Sequence, residues 1–232
     1  KWLLDLVAIS TVADVGKLVG ENRAFVKYGL KVINKTRRIG LQKLMESAGI
    51  KPGTADTTTI GWQIAPRINA AGRMDHANAA FELLMTNDAE AAARLAQSLQ
   101  ESNVERQKAT EVAMKGARAQ ITQPSLGLRP PSPGGRGEGE GPYLLAAYDP
   151  SWVAGVVGLV AGRLTEEFRR PVIVGTKNEA GVITASARSI GEFNIIEALA
   201  ESKEFLHKFG GHPRAAGFSV ADEAQWAKLI AR

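Results

Sequence analysis

The chain has 232 residues, 44% of them hydrophobic and 23% charged, which suits one or two globular domains with real cores and excludes disorder of the whole. Zero Cys excludes disulfides and thiolate metal sites, no apolar run reaches the roughly 18 residues of a membrane span, and Asp5 interrupts the apolar opening that a signal peptide needs, so a cytoplasmic protein with no membrane partner is expected. The formal charge of +5 lies wholly in the first half: residues 1–121 hold 17 Lys and Arg against 12 Asp and Glu, whereas residues 143–232 hold 10 of each, a balance that suits nucleic-acid phosphates or plain solubility.

In "STVADV" Asp14 follows an apolar segment, where it serves either as a metal carboxylate or as a helix cap. "ENRAFVKYGLKVINK" and "IGLQKLMESAG" have the spacing of two helices, the second stopped by Gly49 and Pro52. "APRINAAGRMDH" reads as a loop broken by Pro66 and Gly72; its Arg67, Asn69 and Arg73 suit phosphate contacts, and solvated loop charge explains them equally. Next, Asn87 is placed to cap a helix with Glu90 three residues on, and Leu95, Leu99, Ala109, Ala113 and Ala117 continue the helical period. One helix over residues 88–118 would be roughly 46 Å long, a strut between domains.

Residues 122–142 hold six Gly and five Pro, so they neither propagate a helix nor fill a core, and they read as a linker or inserted loop. No strand leads into these glycines and no Gly-Lys-Ser/Thr follows, which removes a phosphate-binding loop. Beyond them the period changes to that of a small α/β domain. "YLLAAY", "PVIVG", "GVITASAR" and "AAGFSV" have strand character, while "AGVVGLVAGRLTEEF", "NIIEALAES" and "EAQWAKLIAR" have helix character.

Two places in this domain carry chemistry. Ser186 and Arg188, at i and i+2 on one strand, leave the same face, where a hydroxyl beside a guanidinium suits a phosphate; a surface Arg on an edge strand gives the same spacing. In "FGGHPRAAGF", Gly210 and Gly211 let a sugar-phosphate backbone approach the main chain and put His212 at the contact point as donor or proton carrier. A glycine turn ahead of the "AAGF" strand, with His212 incidental, accounts for the same residues.

"DLVAISTVADV", "APRINAAGRMDHANAAFELL", "SNVERQ", "GVVGLVAGRL", "SARS…FNIIEAL" and "FGGHPRAAGF" occur in the order found in RecJ-type single-strand-specific exonucleases of the DHH superfamily, and the chain resembles that family nearly everywhere outside the linker. The resemblance implies an α/β architecture: residues 1–87 as the C-terminal part of a DHH catalytic domain, 88–121 as a connecting helix, and 143–232 as a DHHA1 nucleic-acid-binding domain with a mixed sheet. It also implies 5′-to-3′ hydrolysis of single-stranded DNA with Mn2+ or Mg2+, in the setting of DNA repair and recombination and of other repair proteins as partners. Asp14 resembles the last metal-binding aspartate. Ser186 and Arg188 resemble the pair on the 5′ phosphate; Gly210, Gly211 and catalytic His212 resemble the signature gripping the backbone; Arg67, Asn69 and Arg73 fall in the segment lining the DNA path.

The early aspartate motifs and the Asp-His-His signature are absent, and Val153 stands where the family usually has His. Residue 1 is therefore expected to fall inside the catalytic domain, with the missing N-terminal DHH half as a partner and the chain inactive alone. Two other readings stay open: a non-catalytic DHHA1 module, and a DHH phosphodiesterase acting on short oligonucleotides or cyclic dinucleotides.

Overall fold

A computed structural model of the chain describes residues 3–74, 78–122, 143–178 and 180–231, with the backbone alone at residues 73 and 74. The Gly/Pro-rich segment expected over residues 122–142 lies outside the described residues except for Thr122, which ends a helix. Two compact units emerge, Lys1–Arg106 and Gln107–Arg232.

The first unit is helical: α1 (Leu4–Ala13), α2 (Gly20–Ile33), α3 (Ile39–Ser47), the short α4 (Thr57–Thr59), a π-turn (Ile60–Ile64), α5 (Ala65–Met74), α6 (Asn78–Met85) and the start of α7 (Ala89–Thr122). Ile33, Leu41, Leu44, Ile60, Ile64, Leu83 and Leu99 meet in its core. Asp5, which looked like an interruption of an apolar run, is 2% exposed and pairs with Arg38 Nε at 3.2 Å, while Arg38 Nη1 donates to the Leu84 carbonyl at 2.9 Å. A buried carboxylate is tolerated when paired and hydrogen-bonded in this way.

The segment read as a loop over residues 65–76 is instead helix α5 through Met74. Pro66 is its second residue, where the missing N–H costs little, and Gly72 sits near its end. Pro66 has no N–H to offer the Trp62 carbonyl four residues back, and the turn just ahead of it widens, with the Ala65 N–H bonding to the Ile60 carbonyl. Helix α7 runs for 34 residues, and its cap is Asp88 rather than Asn87: Asp88 Oδ1 accepts from the backbone N–H groups of Glu90 at 2.8 Å and Ala91 at 3.3 Å.

The second unit holds the rest of α7 and a five-stranded sheet in the order β1-β2-β3-β5-β4: β1 (Leu145–Tyr148), β2 (Val172–Lys177), β3 (Ile183–Arg188), β4 (Lys208–His212) and β5 (Ala215–Val220). β1 and β2 are parallel, joined through α8 (Ala154–Phe168), and the other pairs are antiparallel, so the sheet is mixed. Helices α9 (Ile195–Glu201) and α10 (Glu223–Ile230) complete the unit. Ile183, Ala185 and Ala187 of β3 join Ala216, Phe218 and Val220 of β5 in a core with Ile195, Leu199 and Leu229 of these two helices. Among the described residues no helix is long and apolar enough to cross a membrane.

Candidate nucleic-acid interface

Along β3 burial alternates: Ile183, Ala185 and Ala187 are buried, and Thr184, Ser186 and Arg188 are half-buried. The second set faces α8, because a Cβ added at Gly158 of that helix would lie 3.0 Å from Ser186 Oγ and 3.2 Å from Arg188 Nη2. A bare helix position therefore makes room for a hydroxyl and a guanidinium. Arg188 Nη1 lies 3.5 Å from Ser186 Oγ and donates to the Ala187 carbonyl at 2.9 Å. The spacing read from sequence is thus realised on an interior strand, under a helix; the edge-strand reading of Arg188 is corrected, since β3 lies between β2 and β5.

The glycine turn expected ahead of "AAGF" is corrected too. Phe209, Gly210, Gly211 and His212 belong to β4, an edge strand whose five residues are all exposed, and the reversal falls at Pro213 and Arg214. Gly211 has φ +146°, and a Cβ there would strike the Ala215 carbonyl oxygen and lie 2.5 Å from Ala216 Cα. Only glycine fits.

Register then brings the two motifs together. Arg188 pairs with Ala215, which pairs with His212; Ser186 pairs with Gly217, which pairs with Gly210. Residues directly opposite on neighbouring strands share a face, so Ser186, Arg188 and His212 stand on one side of the sheet, with Gly217, Gly210 and Ala215 as a floor of small residues. Two strand spacings separate Arg188 from His212, about 10 Å. Helix α8 packs on β2 and β3 and rises beside this floor. Val153, at the N-cap of α8, is extended and gives the helix no side-chain cap.

In the first unit Asp14 is not an N-cap but closes the C-terminal end of α1, its backbone N–H bonding to the Ser10 carbonyl at 2.9 Å. Its carboxylate has no hydrogen bond among the described residues, and it lines a cleft of about 710 Å³ with Ser10, Thr11, Asn22 and Asn69. Asn69 is exposed on α5. Arg67 is held from within: Nε donates to Gln100 Oε1 at 2.7 Å and Nη1 to the Gln63 carbonyl at 2.6 Å, and burial lowers its pKa. Arg73 belongs to α5, and its side chain lies outside the described atoms. No three His, Asp or Glu side chains gather among the described residues, and one carboxylate does not make a divalent-metal site. Neither Gly158 nor Trp62 stands out in the sequence: Gly158 lies in a segment of ordinary helix character, and Trp62 precedes the segment that reads as a loop.

Residues 141–232 match the family described as the DHHA1 domain. Over 222 residues the chain is 39% identical to the single-stranded-DNA-specific exonuclease RecJ of Bacillus subtilis, covering 95% of this chain and 26% of that protein. The Thermus thermophilus enzyme of the same name is 36% identical over 228 residues, 98% of this chain and 30% of the relative. Among solved structures, Thermus thermophilus RecJ in complex with Mn2+ superposes with a TM-score of 0.80 at 33% identity, covering 99% of this chain and 32% of that one. Exonuclease RecJ bound to manganese gives 0.82 at 33% identity, covering 99% and 53%. The chain thus spans between about a quarter and a third of the length of these two curated relatives.

Proposed function

We propose that this chain, which is of the RecJ type and ends in a DHHA1 domain, is the DNA-gripping part of a single-stranded-DNA-specific 5′-to-3′ exonuclease working in the cytoplasm. Residues 1–87 are then the C-terminal part of the DHH domain, 88–121 the connecting helix and 143–232 the DHHA1 domain. The observation that carries the reading is the Ser186–Arg188 pair lodged under Gly158, on the same sheet face as His212.

A terminal 5′ phosphate offers oxygens to the guanidinium and to the hydroxyl at once, a charge-assisted arrangement. Gly210, Gly217 and Ala215 leave the floor low enough for the next stretch of sugar-phosphate backbone, and His212 donates to, or exchanges a proton with, a phosphate beside it. Arg67, Asn69 and Arg73 of the first unit also contact nucleic acid in this reading. The relatives' structures hold Mg2+ or Mn2+, and Asp14 is the position in this chain suited to one such ligand. The described residues do not complete a metal site, so hydrolysis requires the DHH half as a partner, in the company of other DNA repair proteins. The same observation favours, as a second reading, a DHHA1 module that binds nucleic acid without cutting it.

The test is binding of 5′-phosphorylated and 5′-hydroxyl single strands, followed by fluorescence anisotropy. Arg188→Ala should weaken the phosphorylated strand roughly tenfold to hundredfold more than the hydroxyl strand. Equal losses on both would reduce Arg188 to a general phosphate contact. Nucleotide release with Mn2+ is expected only after fusion to a DHH half, and the absence of release from such a fusion would favour the non-cutting module.

A further inference from the structure

Trp62 is 79% exposed, the most exposed of the large aromatic side chains described apart from Tyr143. It makes no ring contact and no hydrogen bond among the described residues. Leaving an indole in water forfeits a large burial gain, and its surroundings are built rather than loose. It sits in the π-turn Ile60–Ile64, whose ends Ile60 and Ile64 are fully buried, and such turns recur at functional positions. Arg67 braces that turn from the side, through the Gln63 carbonyl and Gln100.

The flanks indicate what the indole meets. Besides Trp62, the exposed positions among the described side chains of the same helical run, residues 57–74, are Thr58, Gln63, Asn69 and Gly72: a hydroxyl, two amides and a glycine. At Gly61, next to Trp62 in sequence, an added Cβ would meet Val12 Cγ1 at 3.8 Å and, outside the helix's own backbone and its chain neighbours, nothing else within 4 Å among the described residues. An apolar protein partner would want an aliphatic rim around its anchor; small and amide neighbours suit a flat polar ring lying on the indole. Asn69 also borders the cleft holding Asp14, and the surrounding half of the chain carries the basic excess, 17 Lys and Arg against 12 Asp and Glu, that a polyanion seeks.

We infer that Trp62 is a stacking platform for an unpaired base of single-stranded nucleic acid, held rigid by Arg67 as a positioning residue. The inference rests on the reading of the chain as a single-strand binder and adds to it a base contact where that reading has only phosphate contacts. Every base has a π-face, so such a platform adds affinity without sequence preference.

The experiment titrates the 232-residue chain with a fluorescein-labelled oligothymidylate, and with an abasic strand of the same length and charge. Trp62→Ala should weaken the thymidylate about fivefold to hundredfold and leave the abasic strand and the salt slope unchanged. Trp62→Phe, which keeps a ring, should stay within about threefold of the parent. Thermal melting checks that both variants fold. Parent-like thymidylate binding by Trp62→Ala, or an equal loss on the abasic strand, would overturn the platform while Arg188 kept its phosphate preference. A parent chain that binds neither strand would overturn the single-strand reading itself and the platform with it.

Discussion

Arg188 and His212 lie on one row of the sheet, each paired directly with Ala215. They are 24 positions apart in sequence and two strand spacings apart in space, with only a methyl group between them. The row joins the Ser186–Arg188 pair to a histidine across a surface of minimal height. Its neighbour runs from Ser186 through Gly217 to Gly210.

The placement of Ser186 and Arg188 depends on a bare position of α8. Because a Cβ at Gly158 would sit 3.0 Å from Ser186 Oγ and 3.2 Å from Arg188 Nη2, Gly158→Val should push both groups out of place. The preference for 5′-phosphorylated over 5′-hydroxyl strands is expected to fall about tenfold, as the loss of one charge-assisted hydrogen bond would give. Gly158→Ala should do less, since the flexible guanidinium end yields. Anisotropy with the two strands, beside a thermal melt, separates this from unfolding.

Gly211 and His212 should respond in opposite ways to alanine. At Gly211 the φ of +146° and the backbone of Ala215 and Ala216 leave no place for a methyl, so Gly211→Ala should cost about 1–3 kcal/mol by urea denaturation. His212 is exposed, and His212→Ala should change stability by less than about 0.5 kcal/mol. The same variant should suppress nucleotide release in a fusion to a DHH half; unchanged release would leave that imidazole without a chemical role.

Thr184 shares the α8-facing side of β3, and its Oγ1 is buried without a hydrogen-bond partner among the described residues. Thr184→Val replaces that hydroxyl by a methyl of similar size and should leave stability unchanged or raise it by about 1 kcal/mol. Urea denaturation measures this. A loss of stability would mean that the hydroxyl has a partner, such as a water.

Asp56 caps α4 through a reciprocal pair: Oδ1 accepts from the Thr59 N–H at 2.7 Å, and the Asp56 N–H donates to Thr59 Oγ1 at 3.2 Å. The Thr59 backbone bond, followed by its hydroxyl, holds the carboxyl below the ordinary value of 3.8. A lowered folded pKa means that the carboxylate's contribution is present above pH 3.8 and is lost as pH falls through the folded value. Asp56→Ala should therefore lower Tm at pH 7, and its gap from the parent should narrow below pH 3.8 in melts followed by circular dichroism. A gap independent of pH would assign the effect to the side chain's packing.

Much of the second unit is written in local pattern. The apolar period of "AGVVGLVAGRLTEEF" gives α8 from Ala154 to Phe168, and the alternation in "ITASAR" gives both β3 and the common face of Ser186 and Arg188. Strand β4 left no such mark. Its five residues are all exposed, so burial imposed no alternation, and the pair Gly210–Gly211 reads as a turn by composition. Pro66 and Gly72 misled in the same way, since proline and glycine break helices in the middle but are accepted near the ends.

What the sequence determined by itself was the identity of each motif and, for α8 and β3, its local geometry, because side-chain period and backbone preference act over a few residues. Tertiary structure decided which motifs meet. The pairing of β3 with β5 and of β5 with β4 sets Arg188 and His212 in one row, and the packing of α8 on β3 turns Gly158 into an opening for a guanidinium. Both are contacts between segments far apart in the chain, fixed by a shared core and a hydrogen-bond register that no local pattern records.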